Sequence, residues 1–342
     1  MKLKHIYQLP GFLLLLIFAV ACEDDAYEVP QAKREFQNDC IKRSLGPNLV
    51  NNRLEFAYAM ALPKDMGKIV SAQVEASIPG VVEPVITNGT FLEHRAYSTD
   101  GGGNDKAVQV ADPSSTEGNL TKVTLTRDTF AVTLRYFYKI PQEAKGQKVT
   151  FTFSATDSNG RTVSMKMGPY TISAMDMVLD STVTDNTEMY ISIADMATYT
   201  AAQAAAIPDK IDLVYLYRAL VQQPAPAPAL TFKHALVAPA ADPVYLPGVT
   251  LPAGVNKDTK IIKTLNLRDQ QLARLQYGIF IDDLDFEKLD TSTATNFAIN
   301  LKGEAGVWVE TADRQYRAYV YINAVNDGSK NMRISIKRLK MF

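Results

Sequence analysis

The stretch of sequence most informative about the fold runs from residue 148 to residue 167 and reads KVTFTFSATDSNGRTVSMKM. Apolar and polar residues alternate on both sides of its Asp-Ser-Asn-Gly-Arg centre, which is the pattern of a β-hairpin with one buried face. A two-residue Asn-Gly turn would pair Phe153 with Lys166 and split the apolar residues between the two faces. A three-residue loop, Ser158 to Gly160, keeps them on one face, with Gly160 in the left-handed conformation. This loop pairs Ala155 with Val163, Phe153 with Met165 and Phe151 with Met167, and it places Asp157 beside Arg161.

Other short alternating segments separated by turn residues occupy the chain from about Phe36 to Ser173. The predicted strands are Leu54 to Leu62, Lys68 to Ile78, Lys122 to Thr126, Ala131 to Ile140, Lys148 to Thr156 and Thr162 to Ile172. This pattern is typical of an all-β sandwich, which we predict for residues 36–174. The run TFTFSATDSNG resembles the last hairpin of immunoglobulin-like and polycystic-kidney-disease-type domains. That resemblance implies an immunoglobulin-like sandwich serving as a spacer or a binding platform, and it specifies a fold rather than an activity.

The second half of the chain, residues 175–342, mixes strand and helix patterns. Thr200 to Ala206 reads as a short Ala-rich helix with Thr198 or Thr200 as its cap, and Leu267 to Gln276 has helical spacing. Strand patterns surround both segments and close the chain. We therefore predict an α+β domain with a mostly antiparallel sheet, and a protein that is mainly β.

Three runs in this half carry a second resemblance: ISIAD at 191–195, DLVY at 212–215 and VWVETAD at 307–313. They are similar to an uncharacterised family of Bacteroidetes outer-membrane lipoproteins. Such proteins often accompany glycan-uptake systems beside SusE-like binding proteins. The resemblance implies a location and a set of neighbours, and it carries no catalytic motif.

The N-terminal sequence predicts where in the cell the protein is located. Lys2 and Lys4 precede an apolar run that ends in Ala19-Val20-Ala21-Cys22, which is a signal peptide (residues 1–21) closing in a lipobox. Cys22 is the predicted lipidation site, and several acyl chains on one residue suffice for stable membrane anchoring. The following acidic tether, residues 22–35, begins Cys-Glu-Asp-Asp and resembles the export signal of Bacteroidetes surface lipoproteins. We predict a protein anchored to the outer membrane and displayed at the cell surface.

Composition and motifs exclude several classes of function. The formal charge is −1 and acidic and basic residues are interspersed, which argues against a nucleic-acid partner. Metal-binding, phosphate-binding and nucleophile motifs are missing, and the glycine run Gly101 to Gly103 is expected to be a loop. The cluster Asp282-Asp283-Leu284-Asp285-Phe286-Glu287 is interpreted as helix capping or solvation, with adventitious calcium and catalysis as alternatives. No cofactor, no metal and no enzymatic activity are predicted.

One constellation near the C-terminus could bind a ligand. Pairing Thr311 with Tyr316 places one set of apolar residues in the core and a second set on the opposite face. That second set, here called the aromatic strip, comprises Trp308, Glu310, Arg317, Tyr319 and Tyr321. Flat aromatic rings suit the apolar faces of pyranose rings. The alternative is that a helix such as Leu267 to Gln276, or the first domain, covers this face and makes it a second core layer.

The sequence thus favours a surface-anchored, non-catalytic lipoprotein that serves as an accessory glycan-binding component of a polysaccharide uptake system. The membrane is contacted through the lipid anchor, and the candidate partners are a polysaccharide ligand and an outer-membrane transporter complex. The alternative function is that of a structural or adhesive, fimbrillin-like cell-surface protein.

Overall fold

The first half of the chain folds as two facing antiparallel sheets. The computed structural model describes residues 34–85, 87–221, 225–226 and 228–342. The strands of this half are β1 (Gln37–Lys42), β2 (Arg53–Ala61), β3 (Ile69–Ala76), β4 (Phe91–Leu92), β5 (Arg95–Thr99), β6 (Asp105–Gln109), β7 (Ser115–Glu117), β8 (Leu120–Thr124), β9 (Ala131–Lys139), β10 (Lys148–Asp157) and β11 (Thr162–Thr171). One sheet has the order β1-β2-β9-β4, the other has the order β11-β10-β3-β8-β7, and β5 and β6 form a separate hairpin.

The hairpin of β10 and β11 has the predicted register. Ala155 lies opposite Val163, Phe153 opposite Met165 and Phe151 opposite Met167. Gly160 has φ +77°, which confirms the three-residue loop with a left-handed glycine. Asp157 closes the loop, because Oδ2 lies 2.6 Å from Arg161 Nη2 and Oδ1 accepts the backbone N–H of Asn159 at 2.9 Å.

Aromatic rings fill the space between these two sheets. Phe56 packs against Phe151 and Phe153 with ring centroids 4.9 and 5.3 Å apart, and all three are fully buried. Cys40 is also buried, and this burial, with a smaller contribution from the charge of Asp39, raises the pKa of its thiol to about 12.

The second half adds two further five-stranded sheets and three short helices. Its elements are β12 (Asp176–Thr184), β13 (Tyr190–Ser192), β14 (Ala197–Tyr199), α1 (Ala201–Ala206), β15 (Leu213–Val221), β16 (Leu230–Val237), β17 (Lys260–Leu265), α2 (Gln270–Ala273), α3 (Asp283–Glu287), β18 (Phe297–Ala298), β19 (Ala305–Glu310), β20 (Tyr316–Asn326) and β21 (Asn331–Lys340). The sheet orders are β12-β21-β20-β19-β17 and β14-β13-β15-β16-β18. All paired strands are antiparallel, so the predicted mainly β, mostly antiparallel fold class is confirmed.

Local capping explains the lengths of the helices. Thr200 caps α1 in a capping box with Gln203, as the sequence predicts. The predicted helix from Leu267 to Gln276 is a single turn, because Asp269 caps it and Arg274 ends it in the left-handed conformation with φ 53°. In the described part of the chain, no helix is both long enough and apolar enough to span a membrane.

The two halves pack against each other within one compact unit, Phe36–Phe342. Leu49 of the first half joins a buried cluster with residues of the second half. Asp176 pairs with Lys145 of the first half and with Arg338 Nη2 at 3.0 Å. Ser173 Oγ donates to Asp283 Oδ1 at 2.7 Å, so α3 is also tied to the end of the first half.

Candidate functional site

The aromatic strip has the predicted pairing. Trp308 lies opposite Tyr319, and Glu310 lies opposite Arg317. The opposite face of the same strands is fully buried core, as predicted, and comprises Val307, Val309, Ala318, Val320 and Ile322. The sequence therefore predicts both the register of this hairpin and the division of its two faces.

The face that carries the strip is covered. Tyr319 is 0% exposed and Tyr321 is 2% exposed. Leu272 of α2 and Phe286 of α3 pack on this face, and the Phe286 ring meets Trp308 edge-on with centroids 5.4 Å apart. The prediction of an exposed binding platform is therefore wrong, and the covered alternative is correct. Three large rings on one sheet face present a large apolar area, and covering that area with α2 and α3 is favourable.

Hydrogen bonds and an ion pair hold the covering segment, which runs from Leu267 to Glu287 and contains α2 and α3, in place. The Tyr319 hydroxyl donates to the carbonyl of Leu267 at 2.7 Å, and burial raises the pKa of Tyr319 to about 12. Lys337 Nζ lies 2.6 Å from Asp269 Oδ2 with both side chains fully buried. Lys337 also donates to the carbonyl of Ile281 at 3.0 Å, so both ends of the segment are attached to β21.

The ion pair of the strip also has a structural role. Arg317 Nε donates to Glu310 Oε2 at 2.8 Å, and its Nη1 donates to the carbonyl of Phe286 at 2.6 Å. Glu310 Oε1 accepts the hydroxyl of Thr291 at 3.1 Å. These contacts hold α3 over the sheet and occupy the groups that a sugar would have used.

The remaining sequence-predicted positions divide between capping and residues that the structure does not describe. Asp282 caps α3, with Oδ1 accepting the N–H of Leu284 at 2.9 Å, and Asp285 returns the capping box, which confirms the capping interpretation. Cys22 lies outside the described residues. Among the described residues, no group of three or more His, Cys, Asp or Glu side chains is arranged to hold a metal ion.

A polar triad in the second half runs from the fully buried Tyr215 through His234 to Asp327, whose side chain is 53% exposed. His234 Nδ1 lies 2.8 Å from the hydroxyl of Tyr215, and its Nε2 lies 2.9 Å from Asp327 Oδ1. Tyr215 is fully buried, and burial raises the pKa of its hydroxyl. A fully buried phenol with a raised pKa is a poor nucleophile, so we assign this triad to the attachment of the turn between β20 and β21 to β15 and β16.

An open groove lies on the outer face of the first sheet, where large side chains are missing. Opposite residues of β1, β2 and β9 share this face, so that Asp39, Ala59 and Thr133 form one row. The next row ends in Ala61 and Ala131. The hairpin of β5 and β6 stands beside this floor, and the groove between them encloses about 570 Å³.

Tyr97 of β5 forms the aromatic wall of the groove and is in contact with Arg135. The guanidinium of Arg135 lies 4.0 Å from the ring centroid, which is a favourable cation–π distance. Arg135 Nη2 in turn lies 3.2 Å from Asp105 Oδ2 at the start of β6. The ring is therefore held in one orientation before any ligand arrives.

A buried carboxylate supports the base of the same hairpin. Glu93 is 5% exposed and accepts Arg95 Nε and Nη2 at 2.9 and 3.0 Å. Burial alone would raise the pKa of Glu93, but the Arg95 guanidinium outweighs it and the pKa lies below its ordinary value. The charged pair thus fixes the point where β5 leaves the sandwich.

The rim of the groove is mixed in character. Asp39, Ser98 and Thr133 are exposed polar side chains along it, and Val108 is 40% exposed. Asn38 also borders the groove, and its side chain turns toward the core, where Nδ2 donates to the hydroxyl of Tyr58 at 3.0 Å. An aromatic wall, a flat apolar floor and scattered hydroxyl, amide and carboxylate groups are the composition of a small-molecule or oligomer binding site.

Sequence reasoning missed this groove. A signal was present in LEFAYAMA at 54–61, where large inward residues alternate with alanine at three of the four outward positions. The other signal was the glycine run at 101–103, interpreted as a loop, which forms the tip of the β5–β6 hairpin. The strands that flank this tip, β5 and β6, are short and contain few apolar residues, so the sequence gives only a weak strand pattern there.

The fold defines a mainly β protein built from antiparallel sheets. The family model described as a domain of unknown function, DUF4466, matches residues 33–172, and that described as DUF8576 matches residues 173–341. The crystal structure of a DUF4466 family protein from Parabacteroides merdae ATCC 43184 is 43% identical, covers 91% of this chain and 100% of that chain, and superposes with a TM-score of 0.80. The chain belongs to the DUF4466 family, and the source of this relative agrees with the predicted Bacteroidetes family.

Two other comparisons add no functional information. The major pilin subunit BcpA of Bacillus cereus, as its D312A variant, is 10% identical and has a TM-score of 0.30 over 58% of this chain and 64% of that one. These values are too low to indicate a shared fold. No curated protein matches the chain.

Proposed function

We propose that this protein is a non-catalytic, surface-anchored lipoprotein that binds a glycan in the groove between the alanine floor and Tyr97. The observation that supports this most directly is the Tyr97 ring, held by Arg135 beside a face without bulky side chains. Sugar rings present apolar faces to aromatic rings and hydroxyls to neighbouring polar groups. A floor of alanine and threonine leaves room for a pyranose to lie flat.

The chemistry of the lining supports binding rather than hydrolysis. Glycoside hydrolysis needs two carboxyl groups flanking the scissile bond, generally about 5 to 10 Å apart. Asp39 is the one carboxylate among the described residues that line the groove. A lone carboxylate can hydrogen-bond a sugar hydroxyl but cannot serve as both acid and nucleophile.

The anchoring part of the proposal depends on the lipobox at Cys22 and on the resemblance to outer-membrane lipoproteins. Cys22→Ala should move the protein from the membrane fraction to the soluble fraction while its Tm stays unchanged, because the acyl chains lie outside the folded unit. Unchanged partitioning would contradict the anchor.

Replacing Glu23, Asp24 and Asp25 with alanine should reduce cleavage by external protease on intact cells if the acidic run directs display.

Affinity electrophoresis through gels that contain single polysaccharides tests the groove. Tyr97→Ala should abolish retardation, because stacking on one ring typically contributes a large part of the affinity of a shallow sugar site. Tyr277→Ala is the matched control, since Tyr277 is 59% exposed in the second half and lies away from the groove. Retardation that both variants retain would overturn the proposal, as would the absence of retardation by every polysaccharide in a broad panel.

A further inference from the structure

We infer that the ligand of this groove is an uncharged glycan rather than a uronate-containing or sulfated one. The inference rests on the proposed function and concerns the same site. It follows from the charges that face the groove, because an anionic chain needs a cation that is available to it.

The described lining contains no lysine, arginine or histidine, and its one formal charge is the carboxylate of Asp39. An anionic sugar in the groove would therefore meet a like charge. Asp39 is exposed on β1, the edge strand of the sheet, and lies on the rim of the groove in the same row as Ala59 and Thr133.

Three cations on strands beside the groove have acidic partners. Arg95 is bound by both carboxylate oxygens of Glu93, and Arg135 lies 3.2 Å from Asp105. Lys106 of β6 lies 3.6 Å from Asp100 Oδ2. A sulfate or carboxylate on the ligand would have to compete with these acidic partners for the cation.

The test compares one polysaccharide in an uncharged form and in an anionic form. The uncharged polysaccharide that gives the strongest Tyr97-dependent retardation is oxidised at its C6 hydroxyls to the uronate, and a sample is reduced back to the alcohol as a control. We expect wild-type protein to bind the oxidised chain about tenfold more weakly, or worse, and to bind the re-reduced chain as it bound the parent. The ratio of the two affinities should shrink in 0.5 M NaCl and in Asp39→Asn, because both reduce charge repulsion.

Two outcomes overturn the inference. The first is Tyr97-dependent retardation by an anionic polysaccharide equal to that by its uncharged form. The second is an affinity ratio that neither salt nor Asp39→Asn changes, since the loss would then come from shape. Both are distinguishable from failure of the proposed function, in which no polysaccharide binds or Tyr97→Ala leaves binding intact.

Discussion

Two outward sheet faces of this molecule differ in what covers them. The face of β19 and β20 carries Trp308, Tyr319 and Tyr321 and lies under α2 and α3. The outer face of β2 and β9 carries Ala59, Ala61 and Thr133 and stays open beside a single tyrosine. The aromatic face looked like the binding platform, and the alanine face proved to be the accessible one.

The difference follows from side-chain area. A Tyr or Trp side chain can bury roughly 150 to 250 Å², so three of them on one face favour a cover strongly. Alanine methyl groups offer little area, so covering them would gain too little to offset the chain entropy of the covering segment. In this protein an open face is marked by small outward residues, and one clamped ring suffices for an aromatic wall.

Tyr319→Ala should give the largest loss of stability, and a small loss would contradict the contrast between the covered and the open sheet face. Removing a fully buried aromatic side chain costs about 3 to 5 kcal/mol, and the carbonyl of Leu267 would also lose its donor. For a folded unit of this size we expect the Tm to fall by roughly 6 to 15 °C in calorimetry. Tyr97→Ala is the paired variant and should lower the Tm by no more than a few degrees.

Lys337→Met tests what holds the cover over the strip. It keeps the volume of the side chain and leaves Asp269 as a buried carboxylate without its cation, which costs about 3 kcal/mol. Denaturant unfolding should show the loss as a lower midpoint with an unchanged slope. Adding Asp269→Asn should recover part of the stability, because it removes the unpaired charge and keeps a side-chain oxygen to accept the N–H of Leu272, and a double variant as unstable as Lys337→Met would contradict this account.

Much of the fold could be predicted because the deciding contacts are local in sequence. The register of the hairpin at 148–167 and the pairing of Trp308 with Tyr319 both follow from alternation across one short turn. The sequence does not show which segment covers the aromatic strip, because the buried cluster there joins Leu49 to Leu272, which are far apart in sequence. The groove escaped prediction for a different reason: it is formed by missing volume at Ala59 and its neighbours, which apolar patterns do not report.

Acid pH should reveal the contact between the two halves with a smaller effect. Burial alone would raise the pKa of Asp176, but Lys145 and Arg338 outweigh it and lower the pKa. A lowered folded pKa means that the stabilisation is complete above the unfolded value of about 4 and is lost as pH falls through the folded value. Wild-type Tm should therefore fall more steeply than that of Asp176→Asn between about pH 4 and pH 2, with a difference of roughly 0.5 to 1 kcal/mol. Parallel Tm curves for the two proteins would show that the pair contributes nothing.

Ala59→Leu should have the smallest effect on stability and still remove binding. Ala59 lies in the floor of the groove, where the added isopropyl group meets solvent rather than core, so the free energy of unfolding should change by no more than about 0.5 kcal/mol. The side chain would occupy the space in which a sugar ring lies, so retardation by polysaccharide gels should vanish. Thr152→Leu is the matched control, because Thr152 is an exposed position of the opposite sheet and should leave both stability and retardation unchanged. A large loss of stability in Ala59→Leu would mean that this face is packed in solution, and the contrast with the covered strip would then disappear.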